Sequence, residues 1–417
     1  MKTLLIKNTD KGDIFIENGI IEEIGKISKQ ADKIIDASGL IVLPAFIDLH
    51  VHFREPGYEY KEDIETGSKS ASFGGFWAVC TMPNTNPPID KPELVIYQIN
   101  RAREVDLVDI FPIACATKNR EGKEMAEYYL LHKSGSVGFS DDGNCIYNTS
   151  VLRNALIYLK MFDLPIIQHA EDGNLSLNYA TGWSFDALRD GLLGIPESAE
   201  VSIIARDCIL ALETGGWIHF SHVSSKLSVE IIRLFKKLGA RITADTTPHH
   251  LVLDSSYIKE NNYSPNFKMY PPLRTKEDIE SLWQGLIDGT IDAIASDHAP
   301  HEFESKLDFI ESERGIIGLQ TAFSLVYSEA IKRGLDIDFL IEKFVSFPTR
   351  FLKLRNTGEI KKGYRANLVL FDKDREWIFS ENLIISKSKN SPFINWKFKG
   401  KVVLTMKDGK ITYSEIE

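Results

Sequence analysis

In "AFIDLHVHF", residues 45–53, apolar and polar residues alternate without a break from Ile47 onward. Period two predicts a strand with Ile47, Leu49, Val51 and Phe53 on one face and Asp48, His50 and His52 on the other. A half-exposed strand ordinarily carries Thr, Ser or Lys on its polar side, so a carboxylate and two imidazoles there need a reason. Seven more strand-like runs follow: "FWAVCTMPN", "VDIFPIACA", "SVGFSDD", "PIIQHAE", "WIHFSHVS", "RITADTTPHH" and "IDAIASDHAPH". Amphipathic helical stretches separate them. In "KLSVEIIRLFKKLG", residues 226–239, the spacing puts Leu227, Ile231, Leu234, Phe235 and Leu238 on one stripe expected to face the core, with Gly239 as the C-terminal stop. "EVSIIARDCILALETGG" and "KEMAEYYLLHKSG" end the same way. Eight strands alternating with helices predict an α/β fold, a parallel (β/α)₈ barrel rather than an open sheet.

The ends of the chain have another texture. Residues 1–45 and 355–417 read as short strands joined by tight turns, with "ENG" and "KDGK" as hairpin signals. The expected division is a catalytic barrel over 46–354 and one small β domain built from 1–45 together with 355–417.

Composition narrows the function classes. A net charge of -10 with diffuse acidity argues against nucleic acid or an anionic membrane as the main partner. The N-terminal apolar run is too short for a signal peptide, and no window approaches a membrane span. Cys80, Cys115, Cys145 and Cys208 are scattered and form no CxxC pair, which fits a reducing, cytoplasmic setting.

Barrel chemistry sits at the C-terminal ends of the strands. Strand one ends in His50 and His52, strand four in Asp141-Asp142, strand five in His169, strand six in His222, and strand eight in Asp297-His298 with His301 beyond. The chain has only ten histidines, and this concentration at strand ends predicts a metal site. Imidazoles and carboxylates suit Zn²⁺, and there are enough of them for two ions sharing a carboxylate. His50 and His52 would hold one ion, His169 and His222 the other. If Val137 and Phe139 pack outward under the helices, parity turns Asp142 inward as the bridge. Asp297 would touch a metal and move a proton. His219 has the wrong parity for a ligand. His249, His250 and Cys145 read as support or packing, and His132 as structural.

Taken together, "IDLHVHFREPG", "TMPNTNPP", "FSDDG", "IIQHAED", "SHVS", "PPLR" and "ASDHAPH" resemble the class I, bacterial-type dihydroorotases of the amidohydrolase superfamily, in order along the whole chain. The resemblance implies a TIM-like barrel with a β-sandwich from both termini. It also implies zinc-dependent, reversible cyclisation of N-carbamoyl-L-aspartate to L-dihydroorotate in pyrimidine biosynthesis. His50, His52, Asp142, His169, His222 and Asp297 would be metal ligands, with Asp297 also the acid/base. Arg54, Asn84 and His301 would grip the substrate carboxylate.

Three departures stand out. "GFSDDG" lacks the carboxylated lysine with which many amidohydrolases, hydantoinases among them, bridge their metals. Tyr270 stands before "PPLR" where the family usually has Asn, so a hydroxyl replaces an amide at the ring pocket. Arg314 precedes Gly315 where Phe is common. The segment 301–318 reads either as a mobile cover or as a solvated connection. The resemblance implies a homodimer, and some members depend on aspartate carbamoyltransferase. The competing readings are a non-catalytic partner of that enzyme, against which the full ligand set argues, and a hydrolase of another cyclic amide such as a hydantoin.

Overall fold

In the computed structural model, described over residues 2–177 and 179–416, eight parallel strands lie in chain order around a barrel. They are β1 (Phe46–Val51), β2 (Phe76–Thr81), β3 (Asp109–Cys115), β4 (Gly138–Ser140), β5 (Ile166–Gln168), β6 (Ile218–Phe220), β7 (Ile242–Thr246) and β8 (Ala293–Ile294). Each pairs in parallel with the next. All eight are buried along nearly their whole length, because helices cover their outer faces and side chains fill the inside. Near the N-terminal ends of β1 and β2, Phe46 stacks on Phe323 at 4.0 Å, and Phe76 and Phe344 close the cluster.

Among the described residues, β8 and β1 share no ladder. The seam between them is held by a single bridge from Val51 to His298 and by the His52 amide donating to the His298 carbonyl at 2.9 Å. Asp48, fully buried, completes it: its carboxylate accepts from the Ser296 amide at 3.1 Å and from the His50 amide at 3.0 Å.

The chain ends form two four-stranded sheets. Thr3–Thr9, Gly12–Glu17, Ile20–Gly25 and Lys33–Asp36 make one; Ile41–Pro44, Leu368–Ile378, Lys397–Lys407 and Lys410–Ser414 make the other. Leu4, Ile6, Ile14 and Ile16 of the first pack against Val42, Leu368, Leu370 and Leu404 of the second, one core between two sheets.

The helices follow the pattern with one correction. Ser198–Thr214 ends at Gly215 in the left-handed region (φ 65°), as its sequence requires. In the helix Lys226–Lys237, however, the buried residues are Ser228, Val229 and Ile232, while Leu227, Leu234 and Leu238 are about half exposed. Ile231 and Phe235 of the same stripe pack partly buried against the barrel core, so the stripe straddles the buried face and only its leucines turn outward. Among the described residues no helix is long and apolar enough to cross a membrane.

Candidate active site

His50 on β1 and His52 just beyond it project into the barrel mouth, where β4, β5, β6 and β8 bring Asp142, His169, His222 and Asp297. All six are buried. Their donor atoms fall into two groups that share Asp142: His50 and His52 on one side, His169 and His222 on the other. His50 Nε2 and His52 Nε2 are 3.3 Å apart, and His169 Nδ1 and His222 Nε2 are 2.9 Å apart. Asp142 Oδ1 lies 3.5 Å from His50 Nε2, 3.6 Å from His169 Nδ1 and 3.5 Å from His222 Nε2, yet is buried without a hydrogen-bond partner. Its Oδ2 is 3.6 Å from His52. Asp297 Oδ1 sits 3.1 Å from His52 Nε2 and 3.6 Å from His50.

The Asp142 separations of 3.5–3.6 Å are too long for good hydrogen bonds but match donors around a cation. Two ligands at about 2.0–2.1 Å from one tetrahedral ion are about 3.3 Å apart. The electrostatics agree. Burial raises the Asp142 carboxyl, but the His50 charge and the facing His169 and His222 imidazoles outweigh it and hold the group well below the usual carboxylate range. Asp297 is likewise held low against burial by His52 and His50. Burial works to strip the His50 proton, but Asp142 prevails and lifts that imidazole to about 9. In this balance the His50 charge compensates the two buried carboxylates, a role that a cation held by the same donors would take over.

The surrounding residues fix the donors' orientations. The Asn84 side-chain oxygen is 2.8 Å from His52 Nδ1, which leaves Nε2 as the lone-pair nitrogen. Asp245 accepts from the His222 amide at 2.6 Å and from His219 Nε2 at 2.8 Å, so His219 points away from the cluster. Asp141 turns to the Thr117 amide at 2.9 Å, leaving Asp142 inside. Arg54, His222 and Asp297 all adopt left-handed backbone (φ 60°, 42° and 44°), a strain of about 1–2 kcal/mol each.

A cavity of about 700 Å³ opens beside the cluster, and Arg54, Asn84, Tyr270, His301, Arg314 and Gly315 line it together with the donors. The Arg54 guanidinium is buried, and among the described residues no carboxylate lies within 4.0 Å of it. Its Nε donates weakly to the Pro300 carbonyl at 3.3 Å. His301 Nε2 is 2.8 Å from the Arg314 carbonyl, which can only accept, so this nitrogen carries the proton. The Arg54 Nη2, 3.3 Å from the same nitrogen, therefore gains no acceptor there. Burial and the Arg54 charge keep His301 neutral, well below its ordinary value.

Tyr270 and Arg314, the two departures from the family pattern, meet each other. Arg314 Cζ lies 4.3 Å above the Tyr270 ring and its Nη2 donates to the Tyr179 carbonyl at 3.1 Å. The Tyr270 hydroxyl donates to Glu171 Oε1 at 2.6 Å rather than offering itself to the cavity.

The segment after β8 folds down over the cavity, so that Ile310–Gly315 form part of its wall. Lys268 donates to the Ile310 and Ser312 carbonyls at 2.6 Å, and Lys306 to those of Glu313 (2.8 Å) and Gly315 (3.2 Å). Gly315 has φ 115°, and a Cβ there would lie 2.6 Å from that of Ala299.

Sequence reasoning missed Arg120 and Glu171. Arg120 lines the cavity and donates to the Asp142 carbonyl at 2.6 Å, bracing the shared carboxylate from behind. Glu171 follows His169 by two, the spacing that placed His52 after His50, and that periodicity was the available signal. His250 is engaged by Thr247 and the Pro271 carbonyl, and all four cysteines are buried and free.

Known proteins give a consistent picture. A family described as "Dihydro-orotase-like" matches residues 39–228. The dihydroorotase of Caldicellulosiruptor saccharolyticus is 43% identical over 407 residues, covering 96% of this chain and 94% of that protein. The dihydroorotase of Aquifex aeolicus is 43% identical over 406 residues, covering 97% and 95%. Among solved structures, an L-hydantoinase (dihydropyrimidinase) from Arthrobacter aurescens superposes with a TM-score of 0.88 at 24% identity, covering 100% of this chain and 97% of the other. At that identity the superposition speaks for the fold alone.

Proposed function

The chain belongs to the dihydroorotase family, and we propose that it interconverts L-dihydroorotate and N-carbamoyl-L-aspartate in pyrimidine biosynthesis as a zinc-dependent enzyme of the cytoplasm. The observation that carries this reading is one cavity lined both by a shared-carboxylate donor cluster and by a buried, unpaired guanidinium. The first suits hydrolysis of an amide and the second an anionic substrate.

His50 and His52 would hold one zinc ion, His169 and His222 the second, with Asp142 common to both and Asp297 beside the first. Bound there, the ions supply Lewis acidity, polarising the ring amide carbonyl and making water acidic enough to attack near neutral pH. Arg54 presents a two-pronged donor to the substrate carboxylate, Asn84 adds an amide beside it, and His301 closes the same corner. That grip sets the ring amide against the donor cluster. Asp297, ionised and 3.1 Å from His52 Nε2, takes the proton of the attacking water. As the carbon–nitrogen bond breaks, it returns that proton to the ring nitrogen. Ring closure runs the same steps backward and loses water.

The barrel 46–354 would be the catalytic unit, and 1–45 with 355–417 the second. The outward stripe Leu227, Leu234 and Leu238 supports association with a second copy of the chain. No lysine stands in Gly138–Gly143 to make the carboxylated bridge of the hydantoinases, which favours dihydroorotate over hydantoins.

The test is a zinc-supplemented assay of dihydroorotate absorbance loss, run with and without aspartate carbamoyltransferase. Turnover that Asp297→Asn reduces at least about 10³-fold supports the assignment. No turnover in either setting, with metal bound, overturns it.

A further inference from the structure

The seam between β8 and β1 is crossed by a polar strap from the far end of the chain. Residues 386–390, "SKSKN", bend at Ser386 and Lys387 and alternate in burial, with Ser386, Ser388 and Asn390 buried and Lys387 and Lys389 exposed. Ser386 donates to the buried Glu62 carboxylate, which also meets His298 Nε2 at 3.3 Å. Ser388 donates to the Lys61 carbonyl at 2.6 Å. These contacts fasten the loop that follows β1 and Arg54.

Asn390 fastens the other side. Its Oδ1 accepts from the His301 amide at 3.1 Å, and its Nδ2 donates to the Ala299 and Gly315 carbonyls, both at 3.0 Å. Its own carbonyl accepts from the Ile317 amide at 3.0 Å. Every polar group of the side chain is thus used within a residue that is 4% exposed, and each partner belongs to the wall opposite Arg54. Among the described residues one bridge, with the His52 amide bonded to the His298 carbonyl, is all the backbone pairing between these two strands, so side-chain hydrogen bonds carry the rest.

We infer that Asn390 is a positioning residue for substrate binding: it sets His301 and Gly315 against Arg54 and so fixes the width of the carboxylate grip, without touching the reacting atoms. The inference rests on the dihydroorotase reading and on Arg54 as the carboxylate partner. An aspartate at this position has the same shape but turns an acceptor toward two carbonyls, pushing Ala299 and Gly315 away.

The experiment compares wild type, Asn390→Asp, His301→Gln and the double variant in the dihydroorotate assay, with zinc content measured alongside. KM is expected to rise about tenfold or more in Asn390→Asp while kcat stays within about threefold and zinc content is unchanged. The same substitution in the His301→Gln background is expected to raise KM by less than about threefold further, because both act on one contact. Asn390→Ser, smaller and neutral, carries the comparison if the Asp variant does not fold. An unchanged KM, or equal effects in both backgrounds, overturns the inference. Failure of wild type to turn over dihydroorotate overturns instead the assignment beneath it.

Discussion

Replacing Arg54 with glutamine separates what this residue does for substrate from what it does for the fold. The guanidinium is 9% exposed, and among the described residues has one weak hydrogen bond, at 3.3 Å to Pro300, and no carboxylate partner. Burial pulls its pKa down, and the more distant Asp297 and Asp142 charges only partly offset this. A substrate carboxylate would give it two charge-assisted hydrogen bonds at about 1.5–3 kcal/mol each, or about 3–6 kcal/mol together. At 1.4 kcal/mol per factor of ten, Arg54→Gln should lower kcat/KM by about 10²–10⁴. Stability should move the other way or not at all. The variant loses a bond worth about 1 kcal/mol but relieves a buried, uncompensated cation, so the melting temperature should stay within about 2 °C or rise. The assay pairs dihydroorotate kinetics with thermal melts, with and without a non-reacting carboxylated pyrimidine. At a hundred times its Kd that ligand should stabilise wild type by about 2.7 kcal/mol and the variant far less. A variant that melts several degrees lower yet keeps kcat/KM within about tenfold would show Arg54 to be a structural residue of the rim.

Three further outcomes follow from the geometry. Under the proposed two-zinc reading, Asp142→Ala should cost both ions rather than one, read by metal analysis after dialysis, because both donor groups share that carboxylate; loss of a single ion would contradict the shared site. Tyr270→Phe should lower stability by about 1–3 kcal/mol in denaturant melts, since it leaves the buried Glu171 without its phenolic donor. Its KM should stay within about threefold, and a large KM change would mean that the hydroxyl faces substrate. Lys306 is pushed down to about 7 by burial, then by the Lys268 charge, with Glu313 opposing. Between pH 7 and 10.5 the unfolded chain then binds more protons than the folded one, so this group's penalty is full below 7 and fades as pH rises through that window, by at most about 1.4 kcal/mol per unit. Lys306→Met should flatten that slope, and an unchanged slope would assign it to other groups.

What the sequence makes legible here is whatever periodicity carries. The eight strands, the inward imidazoles at their ends and the hairpin texture of the termini all follow from spacing. Parity also separated Asp142 from Asp141: Phe139 is buried outward against Tyr128, 4.5 Å between rings, so the residue three further on faces the donor cluster. Periodicity was half right on the helix Lys226–Lys237, where Ile231 and Phe235 of the stripe pack on the core but Leu227, Leu234 and Leu238 do not. It was silent on Arg120 and Asp245, whose roles rest on hydrogen bonds to residues far along the chain.

The seam explains why so much of the site escapes a linear reading. β1 and β8 supply His50, His52, Arg54, Asp297 and His301, yet they are the two adjacent strands without a shared ladder among the described residues. Elsewhere in the barrel, backbone pairing fixes where a side chain emerges, and sequence spacing suffices to predict it. At the seam, geometry depends on one backbone bond from His52 to His298, on the Asp48 carboxylate bonded to Ser296 and on a strap that begins about 85 residues after His301 and reaches the mouth through Asn390. The alternation in "SKSKN" does not announce the loops it meets. Strand order alone would leave the Arg54–His301 distance loose, and the hydrogen-bonded strap gives that corner the rigidity its backbone lacks.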